Sequence, residues 1–72
     1  MKLSTALRRA AECSLDGGNQ WYYNLRHPHY MDARVLAANA HMPLPSDIRM
    51  HKPDRICTCL LLLAEIAEGE GR

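Results

Sequence analysis

Three cysteines and two closely spaced histidines are the residues of this 72-residue chain most suited to chemistry. Cys57 and Cys59 are two residues apart, His27 and His29 flank a proline, and Cys13 supplies a third thiol. Thiolates and imidazoles are common zinc ligands. On a helix, however, Cys57 and Cys59 point about 200° apart, and the paired C-x-x-C spacing of strong zinc signals is absent. We therefore predict no metal and no cofactor, and interpret the cysteines as small packing residues.

The same residues give little support to catalysis. His27, His29, Asp32 and a cysteine could in principle act as a base, an orienting group and a nucleophile. No nucleophile elbow, Gly-rich loop or pair of carboxylates places them, and so few residues make a cleft hard to build. We predict that the protein is not an enzyme and has no catalytic residues.

Length and charge restrict the classes of protein that remain. Residues 1–72 suffice for a single small domain, which buries only roughly 60% of its unfolded surface and needs help from a disulfide, a metal or another chain. The net charge of +1 gives no overall electrostatic case for nucleic acid. An odd number of cysteines favours reduced thiols. Without an apolar leader or a run of ~20 apolar residues, the expected location is the cytoplasm and no membrane partner is expected.

Helical patterns dominate the two ends of the chain. Leu3, Leu7, Ala10 and Ala11 recur on one side of a first helix, with Ser4 or Thr5 as its cap and a stop before residues 16–18. A third helix is predicted from about Pro53 to Glu68, because Pro53 suits a first helical position and Gly69 a stop.

The middle of the chain predicts a second helix between two irregular segments. Asp32 is a good N-cap, Met31 and Leu36 could form a hydrophobic staple around it, and the helix would cover residues 33–41 before Pro43. Its alanines allow a neighbouring backbone to approach closely. Residues 47–50 could add a short helical turn. The predicted fold class is therefore all-α, a compact three-helix domain with an aromatic loop between helices 1 and 2 and a helical turn before helix 3.

Surplus apolar surface on the third helix is the first indication of function. On a helical wheel its polar side chains share one sector, and Leu61 and Leu62 fall inside that sector. A helix that is apolar nearly all round is normally central in a larger protein, whereas only two other helices are present to cover this one. Leu61 and Leu62 are therefore candidate partner-binding residues. The alternative is scattered exposed leucines, which are common.

The aromatic loop supplies the other candidates. All four aromatic residues of the chain lie between residues 19 and 30. Tyr, Trp and Arg are enriched at binding hot spots, so Tyr22, Tyr23, Arg26 and Tyr30 are the predicted partner-binding residues of this segment. The alternative is that Trp21 and one tyrosine close the end of the core.

Nucleic acid is the next class to consider. Residues 35–50 resemble a helix-turn-helix, but His41 stands where a turn glycine is common and Pro53 cuts the recognition helix to under two turns. Nucleic-acid binding is therefore not the preferred interpretation, and a small helical DNA-binding regulator is the alternative.

The preferred hypothesis is a non-enzymatic protein that acts by protein–protein contact. We expect an inhibitor or modulator of a larger protein, and a homodimer formed through the third helix. In size, lack of catalytic apparatus and surplus apolar surface, the chain resembles the small accessory proteins of phages and other mobile elements. The sequence identifies neither the partner nor a redox role for Cys13, Cys57 or Cys59.

Overall fold

The computed structural model describes residues 1–16, 27–44 and 53–72 and shows three helices in these ranges. They are α1, Leu3–Asp16, α2, Pro28–Asn39, and α3, Pro53–Gly69. The described residues contain no strand, which confirms the all-α, compact three-helix prediction. Most of the aromatic loop and the predicted turn at residues 47–50 lie outside the described residues. No helix in the described ranges has the length and apolarity needed to cross a membrane.

The start of α1 differs from the prediction that Ser4 or Thr5 caps it. The helix begins at Leu3, and Ser4 lies inside it with a side chain only 5% exposed. The N–H of Ser4 donates to the carbonyl oxygen of Arg72 over 3.1 Å. The main chain after α3 therefore satisfies a first-turn donor that a side-chain cap would otherwise serve.

The start of α2 also differs from the sequence prediction. The helix begins at Pro28, so Asp32 lies within it rather than at its cap. His27 is the N-cap residue: its backbone is extended, and its ring Nδ1 accepts from the N–H of His29 over 3.2 Å. Pro28 then fills the first helical position, where no N–H is needed. The proposed staple of Met31 and Leu36 is wrong for the same reason, since both residues are helical.

The end of α2 is a Schellman motif built on a residue other than glycine. The N–H of Met42 donates to the carbonyl oxygen of Ala37 over 2.8 Å, and that of His41 to Ala38 over 3.1 Å. His41 has φ 57°, the left-handed conformation that this motif requires and that glycine adopts at least cost. The helix therefore ends at Asn39, two residues before the predicted end at His41 and four residues before Pro43.

The end of α3 has the same backbone pattern, and it corrects the predicted stop. Gly69 is the last helical residue, while Gly71 takes the left-handed position with φ 77°. The N–H of Arg72 donates to Ala67 over 2.8 Å, and that of Gly71 to Glu68 over 3.0 Å. Gly71 is thus the glycine whose conformational freedom ends the helix.

Two side-chain contacts show how α2 and α3 run relative to α1. Near the start of α1, Arg8 forms an ion pair with Glu68 near the end of α3, with 2.7 Å between Nη2 and Oε1. At the other end of α1, the Sγ of Cys13 lies 3.4 Å from the Nδ1 of His27, directly before α2. Both α2 and α3 therefore run antiparallel to α1, which contacts each of them.

Alanine is the principal residue where the helices meet. Among the residues that the structure describes, seven of the twelve buried apolar residues are alanines. Large side chains that are fully buried there are few, namely Leu7, Tyr30 and Leu60. The expectation that alanines on the second helix allow close approach is confirmed, because Ala33 and Ala37 are both buried. The core is accordingly thin.

Replacing Ala37 with leucine should lower the free energy of unfolding by about 1–3 kcal/mol, because a close-packed contact has no room for three more carbons. Ala38, the next residue, is exposed and provides the matched control. Ala38→Leu should change stability by less than about 0.5 kcal/mol. Urea unfolding followed by circular dichroism measures both. Equal stabilities of the two variants would contradict the close packing.

Replacing His41 with glycine should raise the free energy of unfolding by about 0.5–1 kcal/mol, because glycine adopts positive φ without the steric cost of a Cβ. The comparison variant is Ala38→Gly, inside the same helix, which should lose about 0.5–1 kcal/mol. Chemical unfolding measures the free energy of unfolding of both variants and of the unmodified chain. A loss of stability in both would mean that His41 contributes contacts worth more than its backbone strain.

Candidate functional surface

The structure separates the predicted partner-binding residues into three groups. Tyr22, Tyr23 and Arg26 lie outside the described residues. Leu61 and Leu62 are on the surface, 38% and 55% exposed. Tyr30 is 2% exposed and belongs to the core, so the prediction that it contacts a partner is corrected.

The burial of Tyr30 follows from the early start of α2. Once the helix begins at Pro28, Tyr30 lies three residues before Ala33 and seven before Ala37. These spacings put the three side chains on one helical face, which packs on α1. Tyr30 therefore fills volume that the alanines leave open.

One face of α3 packs on the other helices, and the opposite face is apolar as well. Its buried residues are Cys57, Leu60, Ala64 and Ala67, at spacings of three and four. On the far side, Leu62 and Ile66 are 55% and 54% exposed, and the thiol of Cys59 is also exposed. We call Cys59, Leu62 and Ile66 the outer stripe.

Ile66 is the member of this surface that the sequence analysis missed. The available signal was its spacing: Ile66 follows Leu62 by four residues, and residues four apart share a helical face. Leu61 lies to one side of the outer stripe, nearer the buried face. Leu63, on the other side, is partly buried against the core.

Charge around the outer stripe is predominantly acidic. Glu65, Glu68 and Glu70 are all exposed in this part of α3 and the turn after it. Glu68 is paired with Arg8, and Glu70 lies 3.9 Å from a guanidinium nitrogen of Arg72. Within the described ranges Glu65 has no ion-pair partner. Glu65 therefore adds a negative charge near Leu62 and Ile66 that no side chain in the described ranges pairs with.

A second patch of exposed apolar side chains lies on α2. Met31 and Val35 are four residues apart and exposed, and Met1 is exposed as well. A shallow depression of about 360 Å³ beside them is lined by Met1, Asp32, Val35 and Leu36. It is open to solvent and holds one carboxylate, so it lacks the convergent polar groups of an enclosed ligand site.

The two cysteines of the C-x-C pair point in different directions, as the helical spacing predicts. Cys57 is buried against the core and Cys59 is exposed. Burial raises the pKa of the Cys57 thiol above its ordinary value. Cys57 is thus a packing residue, in agreement with the prediction, whereas Cys59 is exposed, which corrects its interpretation as a packing residue.

A separate cluster forms where the end of α1 meets the start of α2. Cys13, His27 and His29 are all half-buried, and their candidate ligand atoms lie within 4.8 Å of one another. The Sγ of Cys13 is 3.4 Å from the Nδ1 of His27, and the two imidazole rings are 4.8 Å apart at an angle of 45°. The tertiary structure brings these three residues together without either cysteine of the C-x-C pair.

Stability should fall in alkaline solution because burial raises the pKa of Tyr30 above 10.0, an effect that Arg34 opposes and Cys59 adds to. An unfolded chain loses this proton first, so the contribution is complete below that value and declines as the pH rises through the folded pKa. Tyr30→Phe should therefore give a shallower decline of melting temperature from pH 9 to about 11. The slope with pH is compared, and not the melting temperature itself, because Tyr30 takes part in a further interaction that the substitution could change at every pH. Identical slopes would contradict this prediction.

Comparison of the chain with protein-family models, with curated proteins and with solved structures finds no match.

Proposed function

We propose that this protein acts by protein–protein contact, as an inhibitor or modulator of a larger partner in the cytoplasm, with the outer stripe as its anchor. The observation that carries the proposal is the exposure of Leu62 and Ile66, more than half in each case, on the face of α3 that points away from the core. Residues at spacings of three and four on such a face are typical of helices that bind in an apolar groove.

The strength of this anchor can be estimated from its area. Complete burial of an exposed leucine or isoleucine gains about 1.5–3 kcal/mol, so the half-exposed Leu62 and Ile66 together offer about 1.5–3 kcal/mol. A micromolar complex needs about 8 kcal/mol net. Flanking contacts must supply the remaining binding free energy. The candidates are Leu61 and the aromatic-loop residues Tyr22, Tyr23 and Arg26.

Charge indicates what kind of groove would fit. Glu65 lies beside the outer stripe without an ion-pair partner in the described part of the chain. An apolar groove with lysine or arginine at its rim would complement that carboxylate and speed association. We propose homodimer formation through the same stripe as a weaker contact. Its dissociation constant would be in the micromolar range.

The origin proposed for such a protein is a phage or another mobile element. Support comes from the combination of a thin alanine core and an apolar face left uncovered. A domain of this size buries few residues with which to build an enclosed active site.

A DNA-binding regulator remains the alternative function. His41 has the left-handed conformation that glycine adopts in a helix-turn-helix turn, which agrees with that motif at one position. The predicted recognition helix, which Ser46 would open and Pro53 would cut short, lies outside the described residues. A DNA titration of the unmodified protein separates the two functions, since contact inhibition predicts only weak, salt-labile binding.

Changing Leu62 and Ile66 to glutamate should weaken self-association at least roughly tenfold, because two carboxylates would then have to leave water. Sedimentation equilibrium measures the dimer constant. The thermal melt should change little, since both side chains are exposed. Ala38→Glu, on the exposed side of α2, is the control and should associate as the unmodified chain does.

The same pair of variants tests the larger partner. Affinity capture from the native host, with the unmodified chain as bait, should retain a protein that the Leu62→Glu, Ile66→Glu bait loses and the Ala38→Glu bait keeps. Equal capture by all three baits would place the binding surface elsewhere. If the unmodified chain is a monomer at high concentration in sedimentation equilibrium, the homodimer is wrong.

A further inference from the structure

The cluster of Cys13, His27 and His29 combines residues from two consecutive helices. Cys13 lies in the last turn of α1, whereas His27 caps α2 and His29 follows in its first turn. Two imidazoles and one thiol converge, with their ligand atoms within 4.8 Å of one another. We propose that these three residues bind a divalent transition-metal ion, and that the ion is zinc.

The separations are close to those that a tetrahedral zinc ion imposes. With bonds of about 2.3 Å to sulfur and 2.0–2.1 Å to nitrogen, ligand atoms would be about 3.6 Å apart for sulfur and nitrogen and about 3.3 Å for two nitrogens. The observed distance from Sγ of Cys13 to Nδ1 of His27 is 3.4 Å. The longest separation, at most 4.8 Å, requires a contraction of about 1.5 Å, within reach of a side-chain rotation at His29.

Hydrogen bonding indicates which nitrogen of His27 carries the lone pair. The Nδ1 of His27 accepts from the backbone N–H of His29. In the neutral ring this contact puts the proton on the other nitrogen and leaves a lone pair on Nδ1, beside the thiol. Binding through Nδ1 would replace that hydrogen bond with a bond to the ion.

The donor set favours zinc over other common ions. A thiolate with two imidazoles suits zinc, and copper competes for the same ligands, whereas magnesium and calcium require oxygen. Three protein ligands leave a fourth position, which water or an added ligand can occupy. The proposal assigns binding to this site and no reaction.

The position of the site explains what a bound ion would contribute. It would join the end of α1 to the start of α2 and close the chain between Cys13 and His27 into a loop. Because the unfolded chain has no preformed site, the free energy of binding the ion adds to the stability of the fold. A small domain with a thin core is the kind that gains most from such a link.

Zinc titration of the metal-free, reduced full-length chain tests the proposal. One equivalent should bind with a dissociation constant in the micromolar range or tighter, and the melting temperature should rise with zinc concentration by mass action. Cobalt(II) in place of zinc should give a thiolate charge-transfer band, which reports a sulfur ligand directly.

Matched variants distinguish this cluster from the other thiols and histidines. Cys13→Ser and His29→Ala should each weaken zinc binding roughly 100-fold, because each removes one of three ligands. His27→Asn keeps a side chain able to cap α2 while removing the imidazole, and should have the same effect. Cys59→Ser and His41→Gly alter an exposed thiol and an exposed histidine outside the cluster, and should bind zinc as the unmodified chain does.

The outcomes are decisive in each direction. Loss of zinc binding and of the cobalt band in the three cluster variants, with helicity retained, supports the site. If Cys13→Ser fails to fold, His29→Ala and His27→Asn still decide. Zinc binding that survives in these variants, that disappears in Cys59→Ser, or that does not occur in the unmodified chain would overturn the proposal and leave Cys13 and His27 as a hydrogen-bonded pair.

Discussion

Close approach of the three helices over alanine side chains is the constraint on which this structure depends. Ala6, Ala10 and Ala11 of α1 are buried between partners that present alanines of their own. Small side chains let backbones come near one another, which places many dispersion contacts in a small volume. They also remove little apolar area from water, so the hydrophobic contribution per residue is modest.

A thin core has consequences for everything outside it. Three helices cannot cover every apolar side chain of α3, and Leu62 and Ile66 remain on the outside. Stability is supplemented at the ends of the helices instead, where backbone motifs close α2 and α3 and the Arg8–Glu68 ion pair joins α1 to α3. An exposed pair of this kind contributes no more than about 1 kcal/mol. Association and metal binding would each add what the core lacks.

The two proposed sites lie on different parts of the molecule and have different chemistry. The outer stripe is an apolar helix face beside the carboxylate of Glu65, and its use depends on area and charge. The Cys13 cluster lies where α1 meets α2 and depends on lone pairs within a few ångströms. A metal at that cluster would join Cys13 to His27, which precede and follow the segment that carries Tyr22, Tyr23 and Arg26.

The sequence by itself determined the number of helices, the buried face of α1, the opposite directions of Cys57 and Cys59, and the start of α3 at Pro53, because periodicity and proline geometry are local properties. It also identified Leu61 and Leu62 as surface residues. Only the tertiary structure decided that Tyr30 is core and that Cys13 meets His27, since both depend on where α2 begins and on its packing against α1. Asp32 has the side chain of a good N-cap, but His27 caps the helix instead and Pro28 takes its first position. The helix therefore begins about one turn earlier than predicted, and Tyr30 lies in that turn and is buried.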